Sequence, residues 1–161
     1  KKNITVIVLR LSNVIGKPSK ISKGFLKLFL PDICKSAVNN QKIILNSDGE
    51  QYRDFLNLNI LLGVISKILN NVEKIKKNTI FNVSSGNSIK IIDISHIVQK
   101  IMRDRFKKEI LIIKGKKTKD KKYKIININL KNFIKYKINF DIEKIIIDLI
   151  KLFNKNDNRI S

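Results

Sequence analysis

Apolar residues recur along this chain with two different periods, and the switches between them lay out its elements. Ile4 to Leu9 is a near-continuous β-branched run, the pattern of a central parallel strand covered on both faces. Lys42 to Leu45, Thr79 to Val83 and Ile110 to Ile113 read as further short strands. Between them a helical period takes over. Pro31 fits the first turn of a helix running to about Asn39, with Cys34, Ala37 and Val38 on its inner face. Ile60, Leu61, Val64, Ile65, Ile68 and Leu69 predict an amphipathic helix from Asn57 or Asn59 to Asn70, and Ile94, Ile97, Val98 and Ile101 another over Asp93 to Phe106. Leu130 to Tyr136 is a short helix or turn. Asp141 is the expected cap of a last helix, in which Ile142, Ile145, Ile146, Leu149, Ile150 and Phe153 share one face, and Asn154 to Ser161 is a polar, fraying tail.

The stretch KIILNSDGEQYRDF, Lys42 to Phe55, holds the first candidate chemistry. Ser47, Asp48, Gly49 and Glu50 break an apolar strand, and Gly49 supplies the positive φ that tight turns require, so the expected structure is a hairpin that returns carrying Arg53. The planar fork of an arginine suits two phosphate or carboxylate oxygens at once. An ion pair of Arg53 with Asp54 or Glu50 is the equally simple alternative. Arg10 to Pro18 leaves the carboxyl end of the first strand, the side on which open α/β sheets bind ligands, and Ser84 to Ser88 forms a second small-residue loop beyond Val83.

Composition narrows the classes. The 161 residues suit about one domain, and no apolar run reaches the roughly 18 to 20 residues needed to cross a bilayer. No signal peptide is visible, so the expected compartment is the cytoplasm and no membrane partner is expected. The chain opens on KKNITVIV without methionine, inside an apolar run, and is expected to be part of something longer. One cysteine, Cys34, and one histidine, His96, leave no basis for a disulfide or a zinc site. Cys34 reads as a small core residue, and His96, off the apolar stripe of its helix, as a surface residue. A net charge of +21 points at face value to a polyanion. Only five of the 34 basic residues are arginine, however, and lysine, isoleucine and asparagine, which share adenine- and thymine-rich codons, crowd every segment. The charge follows composition and spreads along the chain, so nucleic acid is not the favoured partner. A basic nucleic-acid-binding or non-catalytic interaction module is the alternative reading.

An ordered series of motifs resembles the C-terminal part of the extended short-chain dehydrogenase/reductases, the NAD-dependent nucleotide-sugar epimerases and dehydratases. The motifs are Arg10-Leu-Ser-Asn13-Val-Ile-Gly16-Lys-Pro18, Leu28 to Pro31, Gly49-Glu-Gln51-Tyr-Arg53-Asp54-Phe55, Phe81-Asn82-Val83-Ser-Ser-Gly86 and the closing segment from Asn127 through the Asp141 helix. The resemblance implies an α/β fold, the C-terminal part of a Rossmann-type sheet plus a small substrate-binding domain. Residues 1–18 and 56–88 would complete the sheet, 19–55 and 89–154 would form the small domain, and 155–161 the tail. It implies that Asn13 and Arg53 contact the diphosphate or sugar of a nucleotide-sugar, with Asn82 beside it and Leu30, Pro31 and Ile43 bordering the nucleotide. Val14 would pass near the nicotinamide end of NAD or NADP, and the full-length protein would be a homodimer.

The family's glycine-rich dinucleotide fingerprint and its Tyr-x-x-x-Lys pair are both missing. Tyr52, Tyr123 and Tyr136 are followed four residues later by Leu56, Asn127 and Phe140, so none has the lysine that would lower its pKa. The implied cofactor would be bound mainly by residues outside the chain, which is expected to be inactive alone. The arginine that the family commonly offers near its end is replaced by Lys116, Lys117, Lys119 and Asp120.

Overall fold

The computed structural model describes residues 4–76, 78–117, 125–134 and 141–157. In chain order its elements are β1 (Ile7–Leu11), β2 (Asn13–Ile15), α1 (Phe29–Asn40), β3 (Lys42–Ile44), β4 (Tyr52–Asn57), α2 (Leu58–Leu69), β5 (Thr79–Val83), β6 (Ser88–Lys90), α3 (Ile91–Phe106), β7 (Leu111–Ile113), α4 (Ile128–Phe133) and α5 (Ile142–Asp157). They gather into two compact units, each built from separated stretches. One takes Lys1–Gly16, Arg53–Ser88 and Tyr123–Phe140, and the other Lys17–Tyr52, Ile89–Lys122 and Asp141–Ser161. Arg53 to Phe55 and the stretch 125–134 therefore fall in the first unit, whereas the expectation grouped them with the small domain.

In the first unit β1 lies parallel to β5, from Ile7 opposite Thr79 to Leu11 opposite Val83. At Ser12 the chain leaves this pair, donating its N–H to Val83 O at 3.0 Å, and enters β2, which is parallel to β4 in a sheet ordered β2-β4-β6. Asn57 caps α2 by accepting from Asn59 N at 2.7 Å. Leu61, Val64 and Ile68 of α2 pack with Leu56, Phe81 and Val83, and Leu130 of α4 is buried in the same cluster. Each such side chain contributes about 1.5 to 3 kcal/mol by leaving water. The other face of the β1–β5 pair is open: Val8 is 42% and Ile80 45% exposed, and Ile4 precedes the strand at 74%. The expectation of a strand covered on both faces is thus not met within these residues, where β1 has β5 as its one paired neighbour.

The second unit packs α1, α3 and α5 around β3 and β7, which run parallel with Ile43 opposite Ile112. Pro31 stands in the first turn of α1, as the missing N–H requires, and Cys34, Ala37 and Val38 are buried. Asp141 Oδ1 accepts from Lys144 N at 3.0 Å, capping α5, whose Ile146, Leu149 and Ile150 are essentially inaccessible. This helix runs on to Asp157, past the expected start of the tail at Asn154. His96 is exposed, as its place off the stripe implies.

The hairpin expectation is wrong. β3 pairs with β7 and β4 with β2, both parallel, so the two arms of the stretch belong to different sheets. The local turn chemistry is nevertheless as expected. Gly49 has φ +79°, Glu50 N donates to Asp48 Oδ1 at 3.2 Å and Gly49 N to Ser47 Oγ at 3.3 Å. The carbonyls of Gly49 and Gln51 then accept from Ile92 N and Ile91 N, so the turn is pinned to the start of α3 rather than closed on itself.

Burial pushes the Cys34 thiol far above its ordinary value. The native chain therefore holds this proton more tightly than the unfolded chain does. The contribution to stability is complete below the unfolded thiol pKa of about 8.5 and is lost as pH rises above it. Iodoacetamide at about pH 8 is expected to leave the native chain unmodified and to label it only once urea has unfolded it. Rapid labelling without urea would contradict a sealed core position.

Candidate substrate-binding site

β2 and β4 bring the candidate residues of the first unit together through their register, Asn13 opposite Phe55 and Val14 opposite Leu56. The parallel pairing sets Asn13 on the strand beside Arg53 and Asp54, and the Asn13 side chain fastens it there, donating Nδ2–H to Asp54 O at 2.9 Å. That leaves the Asn13 amide oxygen and its second Nδ2–H as its remaining polar groups. Arg53 and Val14 are half-buried.

Asp54 is fully buried. Its Oδ1 accepts from Ser85 N at 2.9 Å, and its Oδ2 from Gly86 N at 2.9 Å and Ser85 Oγ at 3.0 Å. Ser85 Oγ also lies 3.0 Å from Asn87 O, but its single proton goes to the carboxylate, the stronger acceptor. A carboxylate in an apolar strand is costly to bury unless several donors meet it, and a loop of two serines and a left-handed glycine, Gly86 at φ +77°, supplies them. The ion-pair alternative named Asp54 and Glu50 as partners of Arg53. Asp54 is held by this loop, and Glu50, in the second unit, pairs with Lys90 at 2.8 Å. The same contact, by hydrogen bond and charge, raises the pKa of Lys90, which also lies 5.8 Å from the centre of the Tyr52 ring.

Asn82 donates Nδ2–H to Ile126 O at 2.8 Å, and Asn127 Nδ2 donates to Ser84 O at 3.1 Å, so the stretch 125–127 is laced onto the carboxyl end of β5. Beside it Ser12 Oγ is a buried hydroxyl with no hydrogen-bond partner. The two loops leaving β1 and β5 thus have their amides engaged, Ser12 N on Val83 and Ser85 and Gly86 N on Asp54. Those three N–H groups are therefore not on offer to a dinucleotide phosphate.

Leu30, Pro31 and Ile43 lie in the second unit, where Leu30 is 1% and Ile43 0% exposed and Pro31 is also buried. The accessible apolar side chains of those two segments are Leu28, 51% exposed, and Ile44, 54% exposed. Lys116 is bridged to Ser47, its carbonyl accepting from Asp48 N at 2.9 Å, while Lys119, Asp120, Tyr123 and Tyr136 lie outside the described residues. Sequence reasoning missed the anchoring by Asp54. Its one signal was a carboxylate followed by Phe55 and Leu56 in a strand, upstream of a serine and glycine loop rich in donors. Among the described residues no cluster of ligating side chains suits a metal, and no helix is long and apolar enough to cross a membrane.

No curated protein sequence matches the chain. Solved structures do. RMD from Pseudomonas aeruginosa, solved with NADPH, superposes with a TM-score of 0.75 at 16% identity, over 94% of this chain and 49% of that one. UDP-N-acetylglucosamine 4-epimerase from Methanobrevibacter ruminantium, in complex with UDP-N-acetylmuramic acid, gives 0.71 at 19% identity, over 95% and 47%. dTDP-glucose 4,6-dehydratase from Bacillus anthracis, in complex with NAD, gives 0.70 at 19% identity, over 94% and 45%. The chain thus spans about half the length of these structures, and identities this low establish the shared α/β fold. The sequence model of the NAD dependent epimerase/dehydratase family matches residues 1–84, more than half of the chain. The chain belongs to the NAD-dependent epimerase/dehydratase family.

Proposed function

We propose that this chain is the C-terminal, nucleotide-sugar-binding portion of an NAD- or NADP-dependent sugar-nucleotide epimerase or dehydratase, and that it is catalytically inert by itself. The observation that carries the reading is the β2–β4 pair, which fixes Asn13 beside the strand of Arg53 while the Asp54 loop locks that strand in place. Arg53 grips the diphosphate as a bidentate cation, Asn13 offers it or the sugar a neutral polar group, and Asn82 stands beside the same ligand. Leu30, Pro31 and Ile43, buried as they are, would border the nucleotide through the backbone of their segments, and Val14 the nicotinamide end. The cofactor and the Tyr-x-x-x-Lys pair belong to a preceding half. The open face at Val8 and Ile80 supports this, because a parallel strand pair is ordinarily covered on both sides. The intact protein would act on a nucleotide-sugar as a homodimer in the cytoplasm.

In the intact enzyme Arg53→Lys is expected to weaken nucleotide-sugar binding by about 1 to 3 kcal/mol, roughly ten- to a hundredfold in Kd, with cofactor affinity nearly unchanged. Titration calorimetry with each ligand separates the two effects. An unchanged substrate affinity would remove Arg53 from the site.

A further inference from the structure

We propose that the first unit carries a second small-molecule site, a pocket for a nucleoside monophosphate at the amino end of β5. The inference does not rest on the proposed function. Asn82 and the Asp54-bound loop lie at the carboxyl end of this strand, and a rise of about 3.3 Å per residue puts Val83 roughly 13 Å from Thr79. Between that amino end, the turn before it and α4 lies a cavity of about 500 Å³. This falls within the roughly 300 to 1,000 Å³ of ordinary small-molecule sites.

Three kinds of group line it, and together they describe one ligand. Phe133 is half-buried and backed by the buried Phe81, on which it stacks at 5.5 Å between centroids and 24° between planes, and it offers an aromatic surface against which a flat ring can lie. Lys74 and Lys76 supply two positive charges, and among the described residues no carboxylate lines the cavity. Lys74 is oriented rather than neutralised, since its ammonium donates to Asn71 Oδ1 at 2.9 Å, and Thr79 Oγ1 closes the turn by donating to Lys76 O at 2.6 Å. Asn129 and Asn132, three residues apart on α4 and so on one face of it, both line the cavity, and each carries a donor and an acceptor, the pairing that reads the edge of a heterocycle. A bare phosphate leaves the aromatic wall unused, and an uncharged nucleoside leaves the lysines unused. A base carrying one phosphate uses all three.

The chain's large positive charge makes non-specific phosphate binding the competing explanation, so the test varies base and charge separately. The full chain is titrated by calorimetry with UMP and AMP, with ribose 5-phosphate and with uridine. Amide shifts at Lys74, Asn129 and Asn132 are followed by NMR. The expected result is saturable binding of at least one mononucleotide, with shifts at those positions. Ribose 5-phosphate should bind about tenfold more weakly, and Lys74→Gln/Lys76→Gln should lose about tenfold. Lys144→Gln/Lys151→Gln, on α5 in the other unit, should lose nothing, and a nucleotide-sugar should not displace the mononucleotide. Equal binding of ribose 5-phosphate, an equal loss in the α5 variant, displacement by the nucleotide-sugar or no saturable binding would each overturn the proposal. None of these outcomes except displacement bears on the Arg53 site.

Discussion

Asp54→Ala is expected to destabilise the chain by about 3 to 5 kcal/mol, measured by urea unfolding. The carboxylate is fully buried, and its removal strands the N–H groups of the buried Ser85 and Gly86. Each orphaned buried donor costs about 1 to 3 kcal/mol, while Ser85 Oγ can turn to Asn87 O and recover a partner. A loss of this size is a large share of the roughly 5 to 15 kcal/mol that holds a domain folded. Asp54→Asn keeps one acceptor but points an N–H₂ at a donor, so it should fall between wild type and alanine. Hydrogen exchange at Ser85 and Gly86 should accelerate in both variants. Stability within about 1 kcal/mol of wild type in Asp54→Ala would mean that the loop is held by something else.

Gly49→Ala should cost about 2 to 4 kcal/mol, for two reasons that add. Its φ of +79° penalises any Cβ, and that Cβ would lie 2.9 Å from Ile92 Cβ and 3.1 Å from Ile92 N. Relief requires moving the first turn of α3, which breaks the 2.9 Å bond from Ile92 N to Gly49 O. Gly63 is the internal contrast: it lies within α2, and a Cβ there meets nothing within 4 Å. Gly63→Ala should therefore stabilise by about 0.5 to 1 kcal/mol through helix propensity alone. Thermal unfolding of both variants checks the pair, and similar melting temperatures would contradict the close approach at Gly49.

The helices were legible because their signal is local. The stripe from Ile60 to Leu69 and the one from Ile142 to Phe153 state their own period; Asn57 and Asp141 mark starts by hydrogen bonds made within one turn, and Pro31 by the N–H it lacks. The strands around Gly49 were misread for the opposite reason. Their turn residues are visible, but the partners that win are distant: Ile43 meets Ile112 and Leu56 meets Val14. Apolar strands this short carry no address for a partner so far along the chain. Asp54 shows the same limit at the site. Beside Arg53 a carboxylate reads as an ion-pair partner, and only the fold brings the Ser85 and Gly86 amides around it.

The interleaving of the two units has a consequence for how the chain can be made. Neither unit is a continuous peptide, so neither can be excised as a simple truncation. The core of the first is completed only when Leu130 and Ile134 arrive, and that of the second only with Ile146, Leu149 and Ile150 of α5. On the ribosome both wait for the last quarter of the chain, and the open apolar strands emerge long before anything can cover them.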